Sequence, residues 1–437
     1  MRRRKFMFKK LLVLGIALSI LISSIGIATS AEKVTIKFST WGSPEEVNIN
    51  KELIAEFEKR NPDIHVELLY IPGGEYWQKI QTMVAGGTPP DVMFSGTMWS
   101  YDLFSRGAVI DLQPYFEKDS KFKNIKDYYI FKKPQLASLY KDGKAMFGLP
   151  GRTNVNLLYY NKTSFDEAGV AYPTDKWKWD DFLKAAQKLT KWDGNRMVQA
   201  GTTVSNWHAW LNLWIFQNGG FMFNKFAHPT KCTLNSPASV SALQFIQDLV
   251  YKYHVAPTPA QSQALPGGFM TGKIAMEVGG AWSVEQYRQI KEFKWDVAPP
   301  PGQKIKANHV RLGAYSILSQ SKYKDEAWKF LSFLFSPEGH EIAYSKVAIW
   351  NPDLVSVGNN RNSYYYKLPG LPEHYYYRVT EMEIPNLFPG EVLHPNASKI
   401  LDTELPTGLD SMFLGKESAS EAVKKLVPKI DTLLKEK

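Results

Sequence analysis

"VTIKFSTWGSPEEVNINKELIAEFEKRNPDIHVELLYI", residues 34–71, changes period twice. Val34, Ile36 and Phe38 alternate onto one face, the period of a half-buried strand. Ile49, Leu53, Ile54 and Phe57 then recur at helical spacing, and Asn61-Pro62 stops the run. "IHVELLYI" alternates again. Strand, helix and strand in that order form a βαβ unit, whose two strands lie parallel. Further on, "YWQKIQTMVAGG" predicts a short helix ended by Gly86-Gly87, and "PDVMFSG" an apolar strand. A mainly parallel α/β sheet is expected.

The same logic continues without repeating the sequence. "KWDDFLKAAQKLT", "ASVSALQFIQDLVYKY" and "YKDEAWKFLSFLF" each carry a helical apolar stripe, the last ended by Ser336-Pro337. Pro299, Pro300 and Pro301 mark a linker, because three prolines in a row fit neither a helix nor a central strand. "GLPGRTNVNLLYYN" is a second extended crossing. Two α/β lobes joined by several crossings fit this order: residues 32–152 with 303–345, and 153–302 with 346–437.

The 437 residues carry 53 basic and 43 acidic side chains, a net +10. Six of the basic ones (Arg2, Arg3, Arg4, Lys5, Lys9, Lys10) lie in the first 31 residues, which hold no acid. Without them 47 face 43, a net +4, and no basic run survives, so nucleic acid is excluded as a partner. "MRRRKFMFKK", "LLVLGIALSILISSIGI" and "ATSA" read as a signal peptide cleaved after Ala31, with an uncleaved anchor as the alternative. An exported protein, periplasmic or on the cell surface, is expected. Cys232 stands alone, which rules out an internal disulfide and a lipid-bearing cysteine near the mature start. The chain also holds 13 Trp and 22 Tyr, and that aromatic supply requires a use.

"KIAMEVGGAWSVEQYRQI", residues 273–290, sets one of those rings at a strand-to-helix turn. Ile274, Met276 and Val278 alternate, Gly279-Gly280 breaks the strand, and Ser283 with Gln286 reads as a capping box. Trp282 then either staples to Tyr287 or faces a ligand.

"TIKFSTWG", "FEKRNPDIHVEL", "QTMVAGGTPPDVMF", "YKDGKAMFGLPGRTNVNLLYYN", "KWDDFLKAAQKL", "NGGFMFN", "FMTGKIAMEVGGAWS" and "KDEAWKFLSFLFSPEG" follow one another through nearly all of the mature chain. In these motifs and their order the chain resembles the extracellular solute-binding proteins that feed sugar ABC importers, the group that includes maltose-binding proteins. The resemblance implies an α/β, two-lobe periplasmic-binding-protein fold of type II kind, with the ligand in the cleft between lobes. It implies a monomer that delivers a sugar or oligosaccharide to membrane permease subunits, with no cofactor, no metal and no catalysis.

Ligands of open α/β sheets sit beyond the carboxyl ends of strands. Trp41, then Ser95, Gly96 and Trp99, and Trp282 all follow predicted strands. A flat ring covers the C–H face of a sugar, and polar groups must pair its hydroxyls. Asn154 stands where the maltose binders of the family carry an acid, so a different hydroxyl pattern is implied. Arg152 and Arg311 flank crossings, and each is either a bidentate partner for hydroxyls or an acidic sugar, or a surface charge at the hinge. Trp207, His208 and Trp210 match the stretch that supplies an aromatic ring in maltose binders, with burial in the core as the alternative. Trp350 is a further candidate of that kind. A polysaccharide-cleaving enzyme needs two carboxyl groups about 5–9.5 Å apart, and no acidic pair is expected at the cleft. A binder of peptides or polyamines is the other alternative.

Overall fold

Eight strands share one mixed sheet in the structure, a computed structural model that describes residues 33–122 and 125–436. The expected signal peptide, residues 1–31, lies outside the described residues. The opening stretch folds as its periods dictate, into β1 (Val34–Thr40), α1 (Pro44–Arg60) and β2 (Ile64–Tyr70), with β1 parallel to β2. Ser43 accepts the Glu46 N–H and the Glu46 carboxylate accepts that of Ser43, so α1 opens on a complete capping box. Then come α2 (Gly73–Ala85), β3 (Val92–Gly96), which is parallel to β1, and α3 (Thr97–Ser105).

β4 (Leu149–Asn161) is buried at every residue. It is followed by α4 (Trp179–Leu189), α5 (His208–Gln217), α6 (Pro237–Tyr251), β5 (Met276–Gly280), α7 (Ser283–Tyr287) and β6 (Trp295–Ala298). β7 (Asn308–Ile317), α8 (Lys324–Leu334), α9 (Pro337–Tyr344), β8 (Leu387–Pro389) and α10 (Ala419–Leu433) complete the frame used below. The strand order is β6-β4-β7-β3-β1-β2, with β5 beside β4 and β8 beside β7.

The expected parallel pairing holds for β1, β2 and β3 and for β8 beside β7. β7 pairs antiparallel with both β3 and β4, and β5 and β6 pair antiparallel with β4. Ser336-Pro337 also does more than end a helix, because Ser336 accepts the Gly339 N–H and caps α9.

Two hydrophobic cores lie on the two faces of β4. Val155, Leu157 and Tyr159 join Phe38, Phe57 and Phe330 in the first. Leu158 and Tyr160 join Phe182, Trp214, Leu243 and Ile430 in the second. No described helix is long and apolar enough to cross a membrane.

One irregularity shapes the centre of the sheet. Arg311 stands opposite Asn154 and Gly313 opposite Gly151, so Arg152 and Thr153 of β4 together face the single Leu312 of β7. This is a β-bulge. Arg152 occupies it with φ of 56°, a left-handed conformation that a side chain rarely adopts.

Candidate functional site

A cavity of about 560 Å³ opens where β1 and β3 end, between the bulge and the start of α7. Eight of the residues expected at the site line it: Trp41, Ser95, Gly96, Arg152, Asn154, Trp282, Arg311 and Trp350. They come from separate stretches of chain, and the sheet brings them to one place.

On one wall the Trp41 ring packs against Tyr76 and Phe94, 4.6 and 4.8 Å between centroids. Arg152 lies beside it and is held from several sides. Its guanidinium sits 3.9 Å over Phe94 and 4.8 Å over Trp350, and it donates to Tyr315 Oη, Trp41 O and Asn50 Oδ1. Glu46 lies 3.8 Å away and also accepts the Trp350 indole N–H at 2.9 Å. Arg152 is therefore not a surface charge: it lines the cavity with three of its five N–H donors already engaged. It is a buried post that holds the wall. The Ser95 hydroxyl is similarly occupied, 2.6 Å from Ser100 Oγ.

The opposite wall is a group of rings. Trp282 stacks on Trp210 at 5.8 Å and 19°, and meets Trp207 edge-on at 6.2 Å. The Tyr287 staple is absent. Tyr287 packs instead on Tyr159 and Phe269 and donates to Glu277, and Trp282, not Ser283, is the N-cap residue of α7, with no side-chain cap. Trp282 folds back over Gly280, where a Cβ would lie 2.0 Å from the ring. The paired glycines thus make room for the ring itself.

Arg311 lies 4.2 Å over Trp207 and 5.5 Å over Trp282. Among the described residues no acceptor takes a hydrogen bond from its guanidinium. Burial weakens its hold on its proton, while Glu391 and Asp402 oppose that effect. Asn154, its register partner, donates from Nδ2 to Arg152 O at 3.3 Å, and its Oδ1 has no partner among the described residues.

Four expected residues stand outside the cavity lining. Trp99 stacks flat on Trp77, 5.4 Å away and inclined by 4°, with its indole N–H near Ser398 and Asp402. Trp207 and Trp210 back the Trp282 ring. His208 is buried, and burial beside Arg311 lowers its pKa to about 3, so it is a neutral wall residue.

The cavity also contradicts the expectation that it holds no acidic pair, since Glu45, Glu46 and Glu285 line it. Glu46 was legible as the third residue after Ser43 in a capping box that directly follows Trp41. Glu285 carries no comparable signal. Its carboxylate accepts the Ala348 N–H and an Arg288 donor, each at 2.6 Å. The Ser43 hydroxyl donates to Glu45 and holds that carboxyl below its usual range. Away from the cavity, Asp296, Glu373 and His374 converge, but Asp296 already accepts from His374 and Glu373 pairs with Lys162.

A family model for bacterial extracellular solute-binding proteins matches residues 42–341. The chain belongs to this family. The arabinooligosaccharide-binding protein of Bacillus subtilis is 27% identical over 394 residues, 83% of this chain and 87% of that protein. The sn-glycerol-3-phosphate-binding periplasmic protein of Salmonella paratyphi A is 25% identical over 447 aligned positions, 97% of this chain and 96% of its own. Among solved structures, an ABC substrate-binding protein of Listeria monocytogenes in complex with cycloalternan superposes with a TM-score of 0.81 at 28% identity, covering 93% of this chain and 100% of that one. The two-lobe solute-binding fold expected from the sequence is thereby established.

Proposed function

We propose that this solute-binding protein captures an oligosaccharide in the cavity at the strand ends and delivers it to the permease of an ABC importer. The observation that carries this reading is the cavity's lining: the aromatic rings of Trp41, Trp282 and Trp350 share it with the polar groups of Asn154 and Arg311. Flat rings suit the apolar faces of successive sugar units, and about 560 Å³ lies within the range of small-molecule sites. The oligosaccharide-binding relatives support the same ligand class. The protein acts outside the cytoplasm as a monomer, after loss of residues 1–31, and performs no catalysis.

The lobes are assigned as residues 32–152 with 303–345 and 153–302 with 346–437. Beside the bulge, Asn351 N donates to Thr153 O at 2.9 Å. Ligand binding closes the lobes by biasing a hinge equilibrium. A melting screen of mono- and oligosaccharides tests the ligand class, because a ligand at 100 times its Kd adds about 2.7 kcal/mol of stability. Small-angle scattering then tests closure. An unchanged radius of gyration at saturation refutes the moving hinge, and no melting shift with any sugar refutes the ligand class.

A further inference from the structure

Two polar groups in the cavity lining, the Arg311 guanidinium and the Asn154 amide oxygen, lack hydrogen-bond partners among the described residues, and their residues stand opposite each other across the β4–β7 ladder. Arg311 offers donors and needs acceptors, while Asn154 Oδ1 accepts and needs a donor. Opposed residues of an antiparallel pair project to the same face of the sheet, their Cβ atoms about 5 Å apart. A carboxylate or phosphate satisfies Arg311 and leaves Asn154 Oδ1 bare. An ammonium group does the reverse and sits against a guanidinium. A hydroxyl both accepts and donates. Resting on the oligosaccharide reading, we propose that Arg311 and Asn154 together select a neutral sugar through adjacent hydroxyls and reject acidic sugars and sugar phosphates. The Arg311 fork donates to two hydroxyl oxygens, and one of those hydroxyls donates onward to Asn154 Oδ1. That oxygen is closed off in this conformation, so a small rotation of the amide accompanies binding.

The surrounding charge agrees. Arg152 is matched by Glu46, and Arg288 by Glu285. Glu391 and Asp402 lie within Coulombic reach of Arg311, and Glu45 stands at the rim. With Glu391 and Asp402 ionised, carboxylates outnumber guanidinium groups. With both protonated the two kinds are equal, so no surplus cation awaits an anionic ligand. Arg311 lies over Trp207 and Trp282, and its planar fork offers paired donors that a lysine cannot reproduce.

Calorimetric titration of the full chain compares three sets of probes at low and high salt. The neutral set is arabinooligosaccharides, linear maltooligosaccharides and cycloalternan. The anionic set is oligomers of uronate residues and sn-glycerol 3-phosphate, and spermidine is the cation. A neutral oligosaccharide should bind with little salt dependence, and every charged probe at least about tenfold more weakly. Arg311→Lys, which keeps the charge and loses the fork, should weaken that neutral sugar by about tenfold or more. Tighter binding of a uronate or phosphate probe, falling with salt, overturns the selection and leaves the oligosaccharide reading standing for uronates. Tighter binding of spermidine, or Arg311→Lys binding the neutral sugar within about twofold of wild type, also overturns it. If no carbohydrate binds, the ligand class falls and this inference with it.

Discussion

Trp282 earns its place at the residue scale through what lies beneath it. The ring rests on Gly280 and is backed by Trp210 and Trp207, so its position is set before a ligand arrives. Covering one sugar face removes roughly 60–100 Å² of apolar surface from water, which is worth about 1.5–3 kcal/mol. Trp282→Ala should therefore weaken sugar binding by about 10- to 100-fold, and Trp282→Phe by less. Gly280→Ala should also weaken it, because the new Cβ displaces the ring. Titration of the three variants checks this, and a Trp282→Ala protein that binds within about twofold of wild type would remove the ring from the site. The local pattern around Ser283 suggested a staple because Tyr287 was the ring in reach along the chain. Trp210 comes from a remote segment, and no local period announces it.

At the scale of the element, the bulge of β4 determines what Arg152 can do. A regular strand would send this side chain along the alternation of its neighbours, whereas the extra residue and the positive φ turn it between Phe94 and Trp350. The backbone strain costs about 1–2 kcal/mol. The buried ion pair, three hydrogen bonds and two stacked rings outweigh it. Arg152→Ala should destabilise the fold by roughly 3 kcal/mol, since it leaves Glu46 and the wall unsupported while keeping the strained φ. Arg152→Gly, freed of the strain, should lose less, and denaturant unfolding of both variants checks the order. Gly313 serves the same junction. A Cβ there would lie 2.3 Å from Gly151 O and 2.5 Å from the Phe94 ring, so Gly313→Ala should cost about 3 kcal/mol or more. The helices and strands themselves were readable because periods of 3.6 and 2 are local. The antiparallel pairing of β4 with β7 was not, because register is decided by side chains far apart in sequence, and a non-glycine residue at positive φ leaves no mark in the chain.

For the whole molecule, the buried titratable groups set the response to acid. Burial lowers His208, His309 and His340 from 6.5 to about 3. Between those values the unfolded chain binds protons that the folded chain refuses. Their contribution to stability is thus present above about pH 6.5 and lost as pH falls towards about 3. Burial acts oppositely on acids: it raises Asp102, Glu381, Glu391 and Asp402, and takes Asp353 to about 6 and Glu277 to about 7. Those acids contribute stability below their ordinary values, and for Asp353 and Glu277 it is lost as pH rises through about 6 and about 7. Three histidines, each lowered from 6.5 to about 3, set the direction expected of the melting series. The melting temperature should fall from about pH 6.5 downwards, and a series of melts from about pH 7 to about pH 4.5 checks it. A rise over that range would mean that the acids dominate. The family, the two lobes and eight cavity residues were legible from ordered motifs and strand ends. The acids of the cavity were overlooked because Glu45 and Glu46 belong to the first turn of a helix, where carboxylates are ordinary caps.

β4 feeds one core from Val155, Leu157 and Tyr159 and the other from Leu158 and Tyr160, and its partner β7 arrives only at Asn308. Until that partner has been synthesised, β3 and β4 each expose an unpaired edge, and neither core can close. Pairings so remote slow folding, because loop closure must precede any reward from contacts. The nascent chain therefore stays open for most of its synthesis, a condition that leaves it threadable and also vulnerable to aggregation. A chain stopped before residue 308 would lack the strand that both halves share, and would yield two unfinished domains rather than one finished lobe.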